Sequence, residues 1–174
     1  AEYNTNHMRK LLRNLLILGF VLASGLVLAK PTQAQSVQSF TITSFNADYH
    51  LTRDAQNVPH LAVTEQIEAV FPSYDQNHGI ERALPASYKD QPIDLTIKSV
   101  TDQSGKAYHY TTRDSNGNKV LRIGDADTYV HGNKTYVINY SLKNPITFFD
   151  DHDEFYWNVN GTQWSQPFDK VTAH

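Results

Sequence analysis

The sequence predicts an all-β protein, an antiparallel β-sandwich of immunoglobulin-like type. Three observations carry that expectation. From residue 35 onward, short runs of alternating apolar and polar residues recur about every ten residues. Polar turn clusters separate those runs. Helical periodicity is confined to the first 34 residues.

The first run, "QSFTITSFNADYHL", alternates through Phe40 and Ile42. It then resumes one residue out of phase at Phe45, Ala47, Tyr49 and Leu51. A slip of one residue moves every later side chain to the other face unless a β-bulge absorbs it, so a bulge is expected near Ser44. "DAQNVP" supplies a turn. "HLAVTEQIEAVF" is the clearest strand, with Leu61, Val63, Ile67, Ala69 and Phe71 on one face. "PSYDQNHG" is a loop, and "GIERAL" is a short strand with Ile80, Arg82 and Leu84 on one side. "IDLTIKSV" alternates through Ile93, Leu95 and Ile97, and "TDQSGK" turns. "AYHYTT" and "VLRIG" flank "DSNGNK", whose Asn116-Gly117 pair is a strong hairpin signal because both residues tolerate positive φ. After the acidic loop "DADTYVHGN", the strand "KTYVINYSL" places Tyr136, Ile138, Tyr140 and Leu142 together. "FDKVTAH" still alternates at Val171 and Ala173 where the sequence stops, so further strands are expected beyond it.

The first 34 residues read differently. Arg9, Lys10 and Arg13 form a basic start, Leu15 to Ala29 is an uncharged apolar run, and Thr32 and Ala34 sit at −3 and −1 of a signal-peptidase cut. The run is shorter than the about 20 residues that span a bilayer. A secretory signal helix over 1–34 and a β-domain over 35–174 are therefore expected. The whole chain has 15 basic and 18 acidic residues; residues 1–34 hold four and one of them, leaving 11 and 17 and a net charge of −6. An acidic surface without a Lys/Arg patch argues against nucleic acid as a partner. The absence of cysteine excludes disulfides, thiol nucleophiles and Cys-ligated metal. No cofactor motif is present.

Two charges stand at apolar positions. Glu65 shares the face of Leu61, Val63, Ile67 and Phe71, and Arg82 that of Ile80 and Leu84. A lone buried charge costs several kcal/mol, whereas an Arg–carboxylate pair satisfies both partners. The two are expected to meet, either as an ion pair that fixes strand register or as the floor of a pocket.

"FFDDHDEFYWNVNG" holds the densest acid cluster, with Asp150, Asp151, Asp153 and Glu154 around His152. Calcium takes six to eight oxygens. Strand alternation points Asp151 and Asp153 one way and Asp150, His152 and Glu154 the other. A weak calcium site at Asp151 and Asp153 would need help from Asp125 and Asp127. The simpler expectation is a solvated approach, Asp150 to Asp153, leading into a core strand over Phe155 to Val159. Carboxylate pairs about 5 to 9 Å apart could also serve glycoside hydrolysis, but no nucleophile elbow or metal-hydrolase motif is present. Phe148, Phe149, Phe155, Tyr156, Trp157 and Trp164 leave two readings open, a sugar-binding surface or core packing, and the alternation of Phe155, Trp157 and Val159 favours the core.

The ordered landmarks "FTITSFNADYHL", "LAVTEQIEAVF", "NHGIERALP", "LRIGDADTYVHGNKTYVINYSL" and "DEFYWNVNGTQWSQPF" resemble the extracytoplasmic N-terminal domain of the DUF2207 family of bacterial membrane proteins. The matching positions are Glu65, Gly79, Ile80, Arg82, Pro85, Gly124, Asp125, Gly132, Tyr136, Tyr140, Glu154, Trp157, Asn158, Gly161 and Trp164. The resemblance implies a signal, a β-sandwich outside the cell, transmembrane helices downstream and a cytoplasmic tail. It carries no activity, so no catalytic residue is transferred. The resulting expectation is a non-catalytic binding domain on the bacterial surface, whose partner is a protein or an envelope glycan. The alternatives are a carbohydrate-binding or calcium-assisted module and a carboxylate-dependent hydrolase. Candidate binding residues are Asp125, Asp127, Asp150, Asp151, Asp153, Glu154, Trp157 and Trp164.

Overall fold

The computed structural model describes residues 39–88 and 91–174, so the expected signal helix lies outside the described residues. Among the described residues twelve strands follow one another: β1 (Thr41–Arg53), β2 (Pro59–Phe71), β3 (Gly79–Pro85), β4 (Ser87–Tyr88), β5 (Gln91–Pro92), β6 (Asp94–Thr101), β7 (Tyr110–Ser115), β8 (Asn118–Gly124), β9 (Gly132–Lys143), β10 (Ile146–Phe148), β11 (Asp153–Phe155) and β12 (Val171–Ala173). No helix occurs among the described residues.

A five-stranded sheet has the order β12-β1-β2-β9-β6, and a three-stranded sheet the order β3-β8-β7. β4–β5 and β10–β11 are two-stranded ladders. The sheets were expected to be antiparallel throughout. The larger one is mixed, because β12 runs parallel to β1, with Phe45 opposite Val171 and Ala47 opposite Ala173. β1 and β12 are joined through all the intervening strands, from β2 to β11, so no tight turn forces them antiparallel.

Alternation builds the core as the pattern requires. Leu61, Val63, Ile67, Ala69 and Phe71 of β2 and Tyr136, Ile138, Tyr140 and Leu142 of β9 are all buried. Ile80 and Leu84 of β3 and Leu121 and Ile123 of β8 belong to the same buried cluster. Each large apolar side chain buried this way contributes about 1.5–3 kcal/mol. The phase slip in β1 is a register shift against β2 between Ile42 and Ser44, so Ile42, Phe45 and Ala47 all reach the core. A second shift, between Ile97 and Ser99 of β6, passes the inward position on to Val100.

The turns use side-chain oxygens. Asp54 Oδ1 accepts the backbone N–H groups of Gln56 and Val58 at 3.0 and 2.9 Å, with Asn57 at φ 63° between them. The hydrogen bond from His60 at 2.8 Å is the main reason its carboxyl pKa is lowered. Asp102 does the same for the next turn. It accepts from the Ser104 hydroxyl at 2.7 Å and from the Ser104 and Lys106 backbone at 2.9 Å each, and its pKa also falls, chiefly through that hydroxyl. The β7–β8 hairpin turns on Asn116 and Gly117 at φ 50° and 72°, the geometry of a type I′ turn.

The aromatic segment departs from expectation. Phe155 ends β11, and the chain does not continue as a core strand to Val159. Phe155 is 40% and Tyr156 60% exposed, while Trp157, Val159 and Trp164 pack against the core from irregular backbone. Side chains hold that loop in place of a ladder. Tyr49 donates to the Val159 carbonyl at 3.1 Å, and Trp164 Nε1 donates to the Asn160 carbonyl at 2.8 Å.

Candidate functional site

Glu65 and Arg82 meet at the centre of the molecule. Arg82 Nε donates to Glu65 Oε2 and Nη2 to Oε1, each at 2.7 Å. The two side chains are 0% and 1% exposed. Glu65 lies on β2 and Arg82 on β3, which belong to different sheets. The pair therefore ties layer to layer rather than setting the register within one sheet.

The rest of the network satisfies both charges. Arg82 Nη1 donates to the Ala83 carbonyl at 2.9 Å and to the Asn160 carbonyl at 3.1 Å. The guanidinium lies 5.5 Å from the Phe45 ring centroid. The Tyr140 hydroxyl donates to Glu65 Oε1 at 2.8 Å. Burial opposes the Arg82 charge, but the Glu65 carboxylate outweighs it, and the guanidinium pKa is raised. Burial first, and then the Glu65 charge, raise the pKa values of Tyr49 and Tyr140. These tyrosines stay neutral hydrogen-bond donors at any physiological pH.

The network also accounts for the "NVNG" segment. Gly161 stands at φ +76°, and a Cβ there would come within 2.5 Å of Arg82 Nη1. Asn158 Oδ1 accepts the Gly161 N–H at 3.2 Å and holds the turn. The loop carrying Trp157 and Trp164 is thus a lid over a buried arginine.

Tyr140 and Tyr136 make a controlled comparison. Both are 1% exposed, but the Tyr136 hydroxyl has no hydrogen-bond partner among the described residues. Tyr140→Phe is expected to lower stability by about 1–3 kcal/mol, because Glu65 loses a donor in a buried place. Tyr136→Phe is expected to be neutral or mildly stabilising. Urea unfolding of the two variants measures the difference, and equal costs would contradict it.

The two acidic stretches lie apart. The β10–β11 hairpin sits at the C-terminal end of β1, where Asp153 is 3.7 Å from Arg53 and the Arg53 guanidinium lies over Phe148. Asp151 contacts His152 at 2.7 Å, and Asp150 is exposed. Glu154 lies opposite Thr147 in the ladder. Asp125, in contrast, shares a cleft with Phe40, next to the N-terminal end of β1. The 13 residues of β1 span roughly 40 Å between these places. Asp125 and Asp127 therefore do not complete an ion site with Asp151 and Asp153. The Asp125 Oδ1 instead accepts the Asp127 N–H at 2.9 Å. Among the described residues, no group of three or more His, Asp or Glu side chains converges as a metal site.

The cleft brings Asp125 and Trp164 together, and residues outside the sequence reading complete it. Its volume is about 360 Å³, and Gln76, Asn77, Gln163 and Gln166 line it. Glu81 and Arg122 also contribute, and Glu81 is paired with Arg113 at 3.1 Å. The floor is the end of the β3–β8 ladder, where Gly79 faces Gly124. Both glycines have extreme positive φ, +139° and +135°, and a Cβ on either would fall 1.9 Å from a carbonyl oxygen of the other strand. The backbone N–H of Val130 donates to the Asn77 carbonyl at 2.8 Å and fixes the rim. The His78 ring beside it packs against Tyr129 at a tilt of 32°, with centroids 4.3 Å apart. The amides are scattered through loops, and in the sequence only the paired glycines mark the cleft.

Fold and site together define an all-β domain that uses its buried charges to join its own layers and keeps an open polar cleft at one end. The chain belongs to the DUF2207 family: the N-terminal domain model of that predicted membrane protein family matches residues 41–174. No curated protein sequence matches the chain. Among solved structures, native leukotriene A4 hydrolase from Saccharomyces cerevisiae is similar at 13% identity and a TM-score of 0.39, over 59% of this chain. The yeast enzyme in complex with bestatin is similar at 18% identity and a TM-score of 0.37, over 61% of this chain. The chain spans 15% of the length of those hydrolases. Among the described residues, no helix is long and apolar enough to cross a membrane.

Proposed function

We propose that the chain is a non-catalytic, extracytoplasmic binding domain of a membrane-anchored bacterial protein. The observation that carries this reading is the division of its polar groups. The deep charges are consumed by internal hydrogen bonds, whereas the cleft over Gly79 and Gly124 opens to solvent with the exposed side chains of Gln163, Glu81, Arg122 and Asp125 and an aromatic ring over a rigid floor. Binding is what such a rigid polar cleft does well, since little is lost in ordering it. The basic–apolar–polar layout of residues 8–35 supports export, and membership of a predicted membrane protein family supports anchoring. An immunoglobulin-like sandwich is the finer topology we assign, supported by a five-stranded and a three-stranded sheet around one core.

The test is sedimentation of the purified chain with isolated bacterial envelopes. Saturable co-sedimentation, with no soluble fragments released from the envelope, is the expected result. Absence of saturable binding would overturn the reading, and time-dependent release of fragments would replace it with a hydrolase.

A further inference from the structure

We propose that the groove between the C-terminal end of β1 and the β10–β11 hairpin is a docking site for a basic polypeptide segment, one that sets an apolar side chain beside lysine or arginine. It is a second surface, at the other end of β1 from the cleft, and it does not depend on the cleft. Two strand faces build it. Phe45, Ala47, Tyr49 and Leu51 point the same way along β1. Phe45 and Ala47 are fully buried, and the 157–164 loop reaches Tyr49, whose hydroxyl donates to the Val159 carbonyl. Two residues further on, Leu51 is 47% exposed, although Leu61 opposite it on β2 is buried. The β10–β11 ribbon supplies the second face. Ile146 pairs with Phe155 and Phe148 with Asp153, so these four share one side of the ribbon.

Arg53 ties the two faces together, 3.7 Å from Asp153 and with its guanidinium 5.8 Å from the Phe148 ring centroid. The groove between them has a volume of about 420 Å³, with Leu51, Pro59, Ile146 and Phe155 as its apolar lining. Phe148 and Phe155 are 56% and 40% exposed. Large apolar side chains half exposed side by side, rimmed by charge, mark a surface for a partner. Charge selects the occupant. Asp150, Asp151 and Asp153 stand exposed on the hairpin, against Arg53 as the single cation of the lining. Nucleic acid or an acidic lipid headgroup meets like charge there, and a second copy would set the same three carboxylates against each other. A cationic chain is attracted instead, and its apolar side chain fills the gap between Leu51 and Phe155.

Isothermal titration of the chain with three acetylated hexapeptides tests the proposal: alternating lysine and leucine, lysine and serine, and glutamate and leucine. Only the first is expected to bind saturably. Leu51→Ser, at a half-exposed position, is expected to weaken that binding about tenfold with an unchanged melting temperature. The D150N/D151N double variant is expected to weaken it similarly and to flatten its dependence on salt. Asp151→Asn retains the oxygen that contacts His152, so the hairpin keeps that bond. Gln163→Ala, in the distant cleft, should bind as the parent does. Failure of the lysine–leucine peptide, equal binding of either other peptide, or full affinity in L51S would overturn the assignment. A dimer in sedimentation equilibrium that L51S abolishes would replace the partner with a second copy. Binding to vesicles of phosphatidylcholine and phosphatidylglycerol that L51S abolishes would replace it with a membrane. Envelope co-sedimentation that persists without peptide binding would remove this site and leave the binding-domain reading standing.

Discussion

Replacing Arg82 with methionine is expected to cost about 3–5 kcal/mol of folding stability, a large share of the about 5–15 kcal/mol available to a domain. The cost comes from what is left behind. Glu65 would remain fully buried with, among the described residues, the Tyr140 hydroxyl as its remaining side-chain donor; the Ala83 and Asn160 carbonyls would each lose the guanidinium, Asn160 keeping the Trp164 indole N–H. Arg82→Lys should recover only part of the loss, since one ammonium cannot form the two-pronged contact with Glu65 and also reach both carbonyls. Removing both charges is the informative control. A Glu65→Leu/Arg82→Met double variant is expected to be markedly more stable than R82M, because no uncompensated charge remains. A double-mutant cycle in urea measures the coupling. If R82M costs less than about 1 kcal/mol, the pair does not act as the link between layers. The same variant should loosen the 157–164 loop, which Arg82 holds through Asn160, and protease sensitivity there reads it independently.

Gly124→Ala is expected to cost about 3 kcal/mol or more, and Gly79→Ala a similar amount. Two penalties combine. Each residue has a φ that L side chains rarely adopt, and the new Cβ would fall 1.9 Å from the carbonyl oxygen of His78 or of Ile123. Backbone on both sides prevents relief by side-chain rotation, so the end of the ladder must open. Gly132→Ala is the control. It too has positive φ, at +61°, but nothing lies within 4 Å of the added Cβ, so only about 1–2 kcal/mol is expected. Thermal unfolding of the three variants checks the ranking, and equal costs would show that the close approach is not what selects glycine. Because the paired glycines floor the cleft, a folded G124A protein should also lose ligand binding.

Much of the fold was legible locally. The inward sets of β2 and β9 followed from alternation, because a strand with one buried face must repeat every two residues. The bulge in β1 announced itself as a phase slip, and the Asn116-Gly117 turn as residues that accept positive φ. Glu65 and Arg82 could be singled out because a charge at an apolar position needs a partner. Other features left less of a trace. The second bulge, between Ile97 and Ser99, shows in the sequence only as one out-of-phase residue, Val100, at the end of its run. The aromatic run over 155–159 alternates like a strand, yet its backbone is held by Tyr49 and Arg82 from far away in the chain.

The sequence by itself determined the period of each strand, the places of the main turns, the two charges that had to be matched and the family. Only the tertiary structure decided that the matched pair spans two sheets, that β12 joins in parallel, that the acidic hairpin and Asp125 lie at opposite ends of β1, and that four scattered amides share one cleft. The physical reason is range. Alternation and turn propensity are set by neighbours within a few residues, whereas the packing of layers and the gathering of loops depend on contacts between segments as far apart as Tyr49 and Val159.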